Sequence, residues 1–253
     1  MNFESELRKL KLIPIHQLGR GSFGCVYLVY DLVHGIIAAK IFEKGKFDQN
    51  EFDASVNIIR SQGNNAFVLN YIQLRQGVSS KTILMEYANI GTLEIIVKQP
   101  HIHLPTHTLR ALMKQILQGI SFIHSTGQVH RDIKCDNILL HSPTGSGRVY
   151  AKISDFGFVK KEDSSLGLTY IKGTLPYMGP ELFKKRIRST QKVDIYAIGI
   201  TFYKLIMNEY PIQRNSYEEY QMKLAQMKSI ERPSEIEDNN LWNLLSKLLE
   251  SYC

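Results

Sequence analysis

The sequence predicts an α+β fold in which strands come first and helices follow. Residues 26–30 form a run of β-branched, aromatic and aliphatic side chains, and a glycine-containing turn separates them from a second apolar run at 36–39, a pattern typical of a β-hairpin. Farther along, apolar residues recur at three- and four-residue steps from Leu109 to Ile123, which is the period of an amphipathic helix. Strands and helices segregated along the chain are typical of the α+β class.

The chain has 253 residues, which is enough for a substantial hydrophobic core. Hydrophobic residues make up 43% of it and charged residues 22%, the balance of an ordinary globular protein. Apolar side chains predict a second helix at about residues 193–207 and a late helix at about 241–249. No segment is apolar for long enough to span a bilayer, so we expect no membrane partner.

The formal net charge is +7, and the densest basic cluster lies at residues 184–188. A positive charge leaves a nucleic-acid interpretation open. No nucleic-acid motif with interleaved aromatic residues accompanies the cluster, however. We therefore expect a solvated basic face and no nucleic-acid partner.

The three cysteines, Cys25, Cys135 and Cys253, are odd in number and widely spaced. This spacing argues against a disulfide framework and favours a reducing compartment. We therefore expect a cytoplasmic protein, with the nucleus as the alternative.

A glycine-rich segment at residues 19–26 has the sequence Gly-Arg-Gly-Ser-Phe-Gly-Cys-Val and matches two different designs for phosphate binding. A dinucleotide-binding fold would continue into a helix, whereas here a predicted strand follows. The hairpin ends at Lys40, directly after an apolar strand, which favours a phosphate-binding lysine over a lysine at the sheet surface. This arrangement resembles that of the protein kinases, which implies that the glycines let the backbone close over phosphate groups and that Lys40 binds them.

The segment His-Arg-Asp-Ile-Lys-Cys-Asp-Asn at residues 130–137 combines carboxylates, cations and an amide, and Asp-Phe-Gly follows at 155–157. Transfer of a γ-phosphoryl group needs divalent ions to neutralise phosphate oxygens and a carboxylate to orient the acceptor hydroxyl. Asp132 fits the role of that carboxylate. Asn137 and Asp155 offer the oxygen ligands that magnesium prefers. A polar surface loop is the alternative, and it does not explain this combination.

These motifs resemble those of the eukaryotic protein kinases, and the resemblance extends over the whole chain. It implies a two-lobed protein kinase fold, with a small β-rich N-lobe at about residues 1–85, a hinge at about 86–91 and a larger helical C-lobe at about 92–253. It also implies ATP as the phosphate donor, Mg²⁺ as the metal and a protein as the substrate.

The resemblance assigns a role to each motif residue. Asp132 would orient the hydroxyl, and Lys40 and Lys134 would hold phosphates. Asn137 and Asp155 would bind magnesium. The residues that it implies in contact with the nucleotide are Gly19, Gly21, Ser22, Phe23, Gly24, Val26, Ala38, Lys40, Glu51, Met85, Glu86, Ala88 and Leu139.

The acidic partner of Lys40 is ambiguous in the sequence. Active members of the family pair this lysine with a helix glutamate, and the candidates here are Glu51 and Asp53, eleven and thirteen residues later. We favour Glu51 because an aspartate reaches less far.

Two features resemble the serine/threonine branch of the family. Lys134 follows the base candidate by two residues, and Thr174 lies in a predicted substrate-facing turn. The segments around them lean toward the sterile-20-like or NIMA-related groups. Residues 155–181 correspond to the activation segment of the family. Arg131 directly precedes Asp132 and is expected to pair with a phosphate on this segment, and we favour Thr169 as the residue that carries it. Such a phosphate implies an upstream activating kinase.

The C-terminal end departs from the family pattern. The family continues beyond the late helix into a loop whose arginine pairs with the glutamate that is Glu181 here. Arg232 imitates that arginine but precedes the helix. We therefore expect the chain to lack the C-terminal end of the family fold, unless Arg232 has taken over the pairing.

We conclude that the sequence predicts ATP-dependent phosphorylation of serine and threonine hydroxyls in proteins. The main alternative is a pseudokinase or nucleotide-binding scaffold, motivated by the ambiguous Glu51 and the short C-terminus. A small-molecule kinase is a more distant alternative. It would need no segment for binding a peptide, whereas residues 173–181 supply one here.

Overall fold

The computed structural model describes residues 2–77, 80–99, 101, 104–162, 173–183, 190–213, 216–227 and 229–250, without the side chains of Ile59, Ser61 and Gln62. Its first part is a sheet flanked by two helices, and its second part is mainly helical, so the predicted α+β class is confirmed. Among the described helices, none is long and apolar enough to cross a membrane.

The first part contains a five-stranded antiparallel sheet, whose strands are β1 Leu12–Arg20, β2 Gly24–Asp31, β3 Gly35–Phe42, β4 Tyr71–Gln76 and β5 Lys81–Met85. The strand order in the sheet is β1-β2-β3-β5-β4. The predicted hairpin is β2 and β3, whose register pairs Val26 with Lys40 and Leu28 with Ala38. Side chains two residues apart share a face of a strand, so these four side chains point to the same side of the sheet.

The two faces of this sheet are covered by different helices. Helix α1, Phe3–Lys9, buries Phe3 and Leu7 against the face that carries Tyr27 and Ala39. Helix α2, Gln49–Gln62, packs on the opposite side, where Ala54 and other buried residues belong to the main core. The main core continues without interruption into the helical part, so the two parts share one hydrophobic interior.

The helices of the second part are α3 Glu94–Val97, α4 Thr106–Ser125, α5 Lys192–Met207, α6 Tyr217–Gln226 and α7 Asn239–Leu248. This part is organised around α5, in which most residues are buried. The amphipathic pattern from Leu109 to Ile123 falls within α4, and the two later predicted helices correspond to α5 and α7. Asp238 begins α7 by accepting backbone hydrogen bonds from Asn240 and Leu241 at 2.9 and 3.2 Å.

Short strands connect the sheet to the helices. β8, Ile138–His141, and β9, Tyr150–Ile153, form an antiparallel hairpin, and β6, Gly91–Thr92, pairs with β8. β7, Gln128–Val129, pairs with β10, Lys160–Lys161. Because Ile138 pairs with Ile153, the residues just before β8 and just after β9 meet at one end of the hairpin.

A glycine lets the loop before β4 pack directly against α4. A Cβ added to Gly119 would lie 2.7 Å from the Phe67 carbonyl oxygen and 3.1 Å from Ile153 Cδ1. That carbonyl also accepts a hydrogen bond from the Ile153 amide at 2.9 Å, so it is not free to move away. The approach of α4, the loop and β9 therefore requires a residue without a side chain.

We expect Gly119→Ala to destabilise the fold, although alanine is the better helix former by about 1 kcal/mol. The added methyl group forces the backbone apart, and overpacking of this kind costs about 1–3 kcal/mol. For a chain of this size, the melting temperature falls by roughly 2–4 °C per kcal/mol. The control is Gln118→Ala, at an exposed position of the same helix. A melting temperature that rises in Gly119→Ala would contradict the packing argument.

Candidate active site

A buried carboxylate on α5 holds the segment that carries Asp132. Asp194 is fully buried and accepts hydrogen bonds from the backbone amides of His130 and Arg131 at 2.8 and 2.7 Å. His124 of α4 donates to the same carboxylate at 2.8 Å. Arg131 has a φ of 68°, a conformation that costs free energy for a residue other than glycine. The bonds to Asp194 stabilise this turn and so fix the direction in which the next residue points.

Asp132 lies at the centre of a small polar cluster. Its Oδ1 atom accepts from the Thr174 hydroxyl at 3.1 Å, and its Oδ2 atom accepts from the Asn137 amide at 2.8 Å. Lys134 Nζ lies 2.9 Å from Asp132 Oδ2 and donates to the Thr174 hydroxyl at 2.9 Å. The cluster brings together the base candidate, the phosphate-holding candidate and the substrate-facing threonine, and it holds the carboxylate in one orientation.

Asn137 and Asp155 lie at the same end of the β8–β9 hairpin. Asn137 directly precedes β8, and its backbone carbonyl accepts from the amide and the hydroxyl of Ser154 at 2.9 Å each. Asp155 is the next residue after Ser154. Strand pairing therefore brings together two residues that are distant in the sequence.

The donor set at this end of the hairpin fits a magnesium ion. The Asn137 amide nitrogen donates to Asp132, whereas its side-chain oxygen accepts no hydrogen bond from the described residues. The Asp155 side chain is 43% exposed although it follows a buried strand. An amide oxygen and an exposed carboxylate oxygen are hard ligands of the type that magnesium prefers.

Lys40 joins the two parts of the site. Its Nζ atom lies 2.6 Å from Glu51 Oε1 and 3.2 Å from Asp155 Oδ1. Burial by itself lowers the pKa of Lys40, but the charges of Asp155 and Glu51 outweigh it and raise the pKa above its usual value. Burial likewise raises the pKa of Asp155, but the charge of Lys40 outweighs it and lowers that pKa. The lysine is therefore cationic and the aspartate anionic.

The structure also resolves the ambiguity between the two acidic residues. Asp53 is exposed and accepts a hydrogen bond from Gln49 within α2, whereas Glu51 is buried beside Lys40. Residues two positions apart on a helix point about 200° apart, so only one of them faces the sheet.

The glycine-rich segment forms the turn between β1 and β2. The Gly21 amide donates to the Gly24 carbonyl at 2.9 Å and closes the turn. Gly24 leaves no room for a side chain, because a Cβ would lie 2.0 Å from the Ile41 carbonyl oxygen of β3. Space is open around Gly21, and Phe23 is exposed at the tip. Ser22 accepts a hydrogen bond from Lys46 through its carbonyl oxygen at 2.8 Å.

The connection after β5 presents free backbone groups. Met85 ends β5 and pairs with Ala38 of β3 in the sheet register. The Glu86 amide donates to the Asn70 carbonyl, but the Glu86 carbonyl and both backbone groups of Ala88 make no hydrogen bond within the described chain. Glu86 and Ala88 are among the residues predicted to contact the nucleotide. Gly19, Val26 and Leu139, which were predicted to contact the nucleotide, lie on β1, β2 and β8 respectively.

Several residues of the site had no signal in the sequence analysis. Tyr71 donates its hydroxyl hydrogen to Glu51 Oε1 at 3.1 Å. Lys152 of β9 lies 3.0 Å from Glu86 Oε1 and is nearly buried. His124 of α4 holds Asp194 through the hydrogen bond described above. No local pattern reveals these contacts because each joins segments that are far apart in the chain.

Some sequence predictions lie outside the described residues. These are the phosphorylation candidate Thr169 and the basic cluster at 184–188. The proposed exchange of partners at Glu181 can be assessed in part. Arg232 donates to its own loop, to the carbonyls of Ile236 and Glu237 and to the Asn239 side chain, so its hydrogen bonds support the start of α7 and do not reach Glu181.

Comparison with known proteins identifies the family. The family model described as protein kinase domain matches residues 13–252. The chain belongs to the protein kinase family. It is 32% identical over 209 residues to calcium-dependent protein kinase 6 of Plasmodium berghei, covering 82% of this chain and 14% of that protein. It is 30% identical over 236 residues to serine/threonine-protein kinase 1 of Arabidopsis thaliana, covering 91% of this chain and 27% of that protein.

A third relative is of the sterile-20 type. The kinase domain is 30% identical over 205 residues to serine/threonine-protein kinase STE20 of Candida glabrata, covering 80% of this chain and 22% of that protein. The suspected family is thus confirmed, and a sterile-20-type relative is consistent with the leaning toward that group. The chain spans about a seventh to a quarter of the length of these three relatives.

We expect Glu51→Gln to lower phosphotransfer by this kinase domain about tenfold or more, because the neutral amide no longer holds the Lys40 ammonium by charge. Asp53→Asn is the matched control, since it also removes one carboxylate from α2 but at an exposed position. Initial rates with radiolabelled ATP measure both variants. Equal rates in Glu51→Gln and Asp53→Asn would show that the Lys40–Glu51 pair is not needed.

Proposed function

We propose that this chain transfers the γ-phosphoryl group of ATP to serine and threonine hydroxyls of protein substrates. The observation that carries the proposal is the cluster of Asp132, Lys134, Asn137 and Thr174, next to the Lys40–Asp155 pair. The cluster supplies an oriented carboxylate and a cation, and phosphoryl transfer needs these more than it needs covalent chemistry.

Lys40 would bind the phosphates of ATP that lie nearest the adenosine, held in place by Glu51. The glycine-rich turn would cover the same phosphates with its backbone amides, since the space around Gly21 is open. The adenine ring would lie between Val26 and Ala38 above and Leu139 below, at the free backbone groups after Met85. These contacts fix the nucleotide relative to the acceptor.

Asn137 and Asp155 would hold magnesium, which neutralises charge on the phosphate oxygens. The Asn137 side chain is oriented for this role because its amide nitrogen is bound to Asp132, which turns the oxygen the other way.

Asp132 would receive the hydroxyl of the substrate. Its Oδ1 atom accepts one hydrogen bond in the described structure, from Thr174, and its Oδ2 atom is engaged by both Asn137 and Lys134. The acceptor oxygen forms a bond to the γ-phosphorus while the bond from that phosphorus to the β–γ bridging oxygen breaks, and ADP leaves. The hydroxyl proton passes to Asp132 Oδ1. Lys134 neutralises charge on the transferred group.

The serine/threonine class rests on Lys134 and Thr174. The lysine donates to the threonine at 2.9 Å beside Asp132, and a lysine and a threonine at these two places resemble the serine/threonine branch of the family. Two of the three named relatives are described as serine/threonine-protein kinases. A radiolabelled-ATP assay on a peptide library tests the class. Label on serine or threonine peptides supports it, label on tyrosine peptides alone contradicts it, and absence of label with retained nucleotide binding indicates a pseudokinase.

We expect Asp132→Asn and Asp155→Asn to separate the two halves of the chemistry. Asp132→Asn should lower kcat by about a hundredfold or more and leave the affinity for magnesium-ATP near that of the parent, because the base does not bind nucleotide. Asp155→Asn should weaken magnesium-ATP binding as well. Steady-state kinetics and calorimetric titration measure the two effects. Equal turnover in Asp132→Asn and the parent would refute the assignment of the base.

We further propose that phosphorylation of Thr169 by an upstream kinase raises activity through Arg131. The Arg131 Nε atom donates to the Phe158 carbonyl at 2.6 Å, while its terminal nitrogens make no hydrogen bond within the described residues. They are free to bind a phosphate in a charge-assisted pair. Thr169→Ala should therefore lower the rate of phosphorylated preparations, and Arg131→Lys should lower it less than Arg131→Ala. An unchanged rate after phosphatase treatment of the parent would refute this regulation.

A further inference from the structure

Glu51 lies in the first turn of α2, and its side chain is buried. It is the third residue of α2, which begins at Gln49. The first turn of a helix lacks backbone acceptors for its amides and frays more readily than the interior. The carboxylate that holds Lys40 is thus attached to the least constrained turn of its helix, and contacts from outside the helix must fix it.

The hydroxyl of Tyr71 supplies such a contact. It donates to Glu51 Oε1 at 3.1 Å, the same oxygen that lies 2.6 Å from Lys40 Nζ. Tyr71 begins β4, an edge strand of the sheet, and its side chain is almost completely buried. Burial raises the pKa of Tyr71 well above its usual value, so the phenol is protonated and can only act as a donor to the carboxylate.

The ring of Tyr71 is itself fixed by the segment that carries the metal-ligand candidate. It packs edge-on against Phe156, with ring centroids 5.2 Å apart, and Phe156 packs against His130 at 5.7 Å. Phe156 directly follows Asp155. The position of the Tyr71 hydroxyl therefore depends on the conformation of the segment that contains Asp155 and Phe156. The position of Glu51 depends in turn on that hydroxyl.

We propose that Tyr71 is a positioning residue for phosphoryl transfer, whose hydroxyl holds Glu51 against Lys40. The ring transmits the placement of Phe156 to the first turn of α2. This inference rests on the proposed function, because it assigns Tyr71 to the same reaction. It predicts that removal of one hydroxyl group, with the ring retained, loosens the Lys40–Glu51 pair without disturbing the core.

The test is Tyr71→Phe. The variant keeps the ring contact with Phe156 and loses only the hydrogen bond to Glu51. We expect kcat to fall about tenfold, the effect of losing about 1.4 kcal/mol of hydrogen bonding to a charged group. The KM for the peptide substrate should not change, since the described hydrogen bonds and ring contacts of Tyr71 do not reach Asp132, Lys134 or Thr174. Tyr27→Phe is the matched control, because Tyr27 is also buried and donates to Gln17 at 3.4 Å, but on the opposite face of the sheet.

A double-mutant cycle distinguishes positioning from general packing. If Tyr71 acts through Glu51, then Tyr71→Phe should cause no further loss in a Glu51→Ala background. Effects that multiply would refute the proposal, and so would a rate in Tyr71→Phe equal to that of the Tyr27→Phe control. Melting temperatures of the single variants show whether each one folds.

A second measurement does not depend on catalysis. Hydrogen exchange in the absence of nucleotide should be faster over the second turn of α2, residues 53–56, in Tyr71→Phe than in the parent and in Tyr27→Phe, because the amides of this turn bond to the carbonyls of the first turn. If the parent transfers no phosphate, the proposed function fails, and the exchange result alone decides whether Tyr71 holds Glu51. Unchanged exchange over that turn would refute the contact.

Discussion

The buried carboxylate of Asp194 is the constraint on which the rest of the site depends. It is fully enclosed by the helical core and binds two consecutive backbone amides and one histidine side chain. Hydrogen bonds to a charged acceptor each contribute roughly 1.5–3 kcal/mol. This is enough to hold Arg131 in a left-handed conformation, and that conformation points Asp132 toward Thr174. The orientation of Asp132 in its loop is thus determined by the helix that carries Asp194.

A second set of charges connects the sheet to the helical part. Lys40 lies on β3, Glu51 on α2 and Asp155 after β9, and the lysine contacts both carboxylates. The cation offsets the repulsion between the two carboxylates, which would otherwise oppose holding both of them charged in one place. The cost is that all three segments must be placed together. The Lys40 cluster is therefore complete only when the sheet, the helix and the hairpin are correctly arranged.

Backbone packing supports these contacts at a distance. Gly119 allows α4 to approach the loop before β4 and the end of β9, and this fixes the segment that leads to Asp155. The ion pair of Lys152 and Glu86 lies nearby and joins β9 to the chain that follows β5. Both features link the two sides of the site independently of the charges at its centre. A substitution of Gly119 or Lys152 is therefore expected to act on the central charges of the site without removing any of them.

The sequence by itself predicted the fold class and most of the residues that meet at the candidate site. Asp132, Lys134 and Asn137 lie within a few residues of one another, and the glycine-rich turn and Lys40 belong to one hairpin, so local spacing is enough to reveal them. Only the tertiary structure decided between Glu51 and Asp53, because helix geometry turns one of them toward the sheet and the other to solvent. It also revealed Tyr71, whose hydroxyl meets Glu51 only when β4 packs beside α2. The physical reason is that these contacts join residues distant in the chain, and their energies depend on burial and direction that no local pattern encodes.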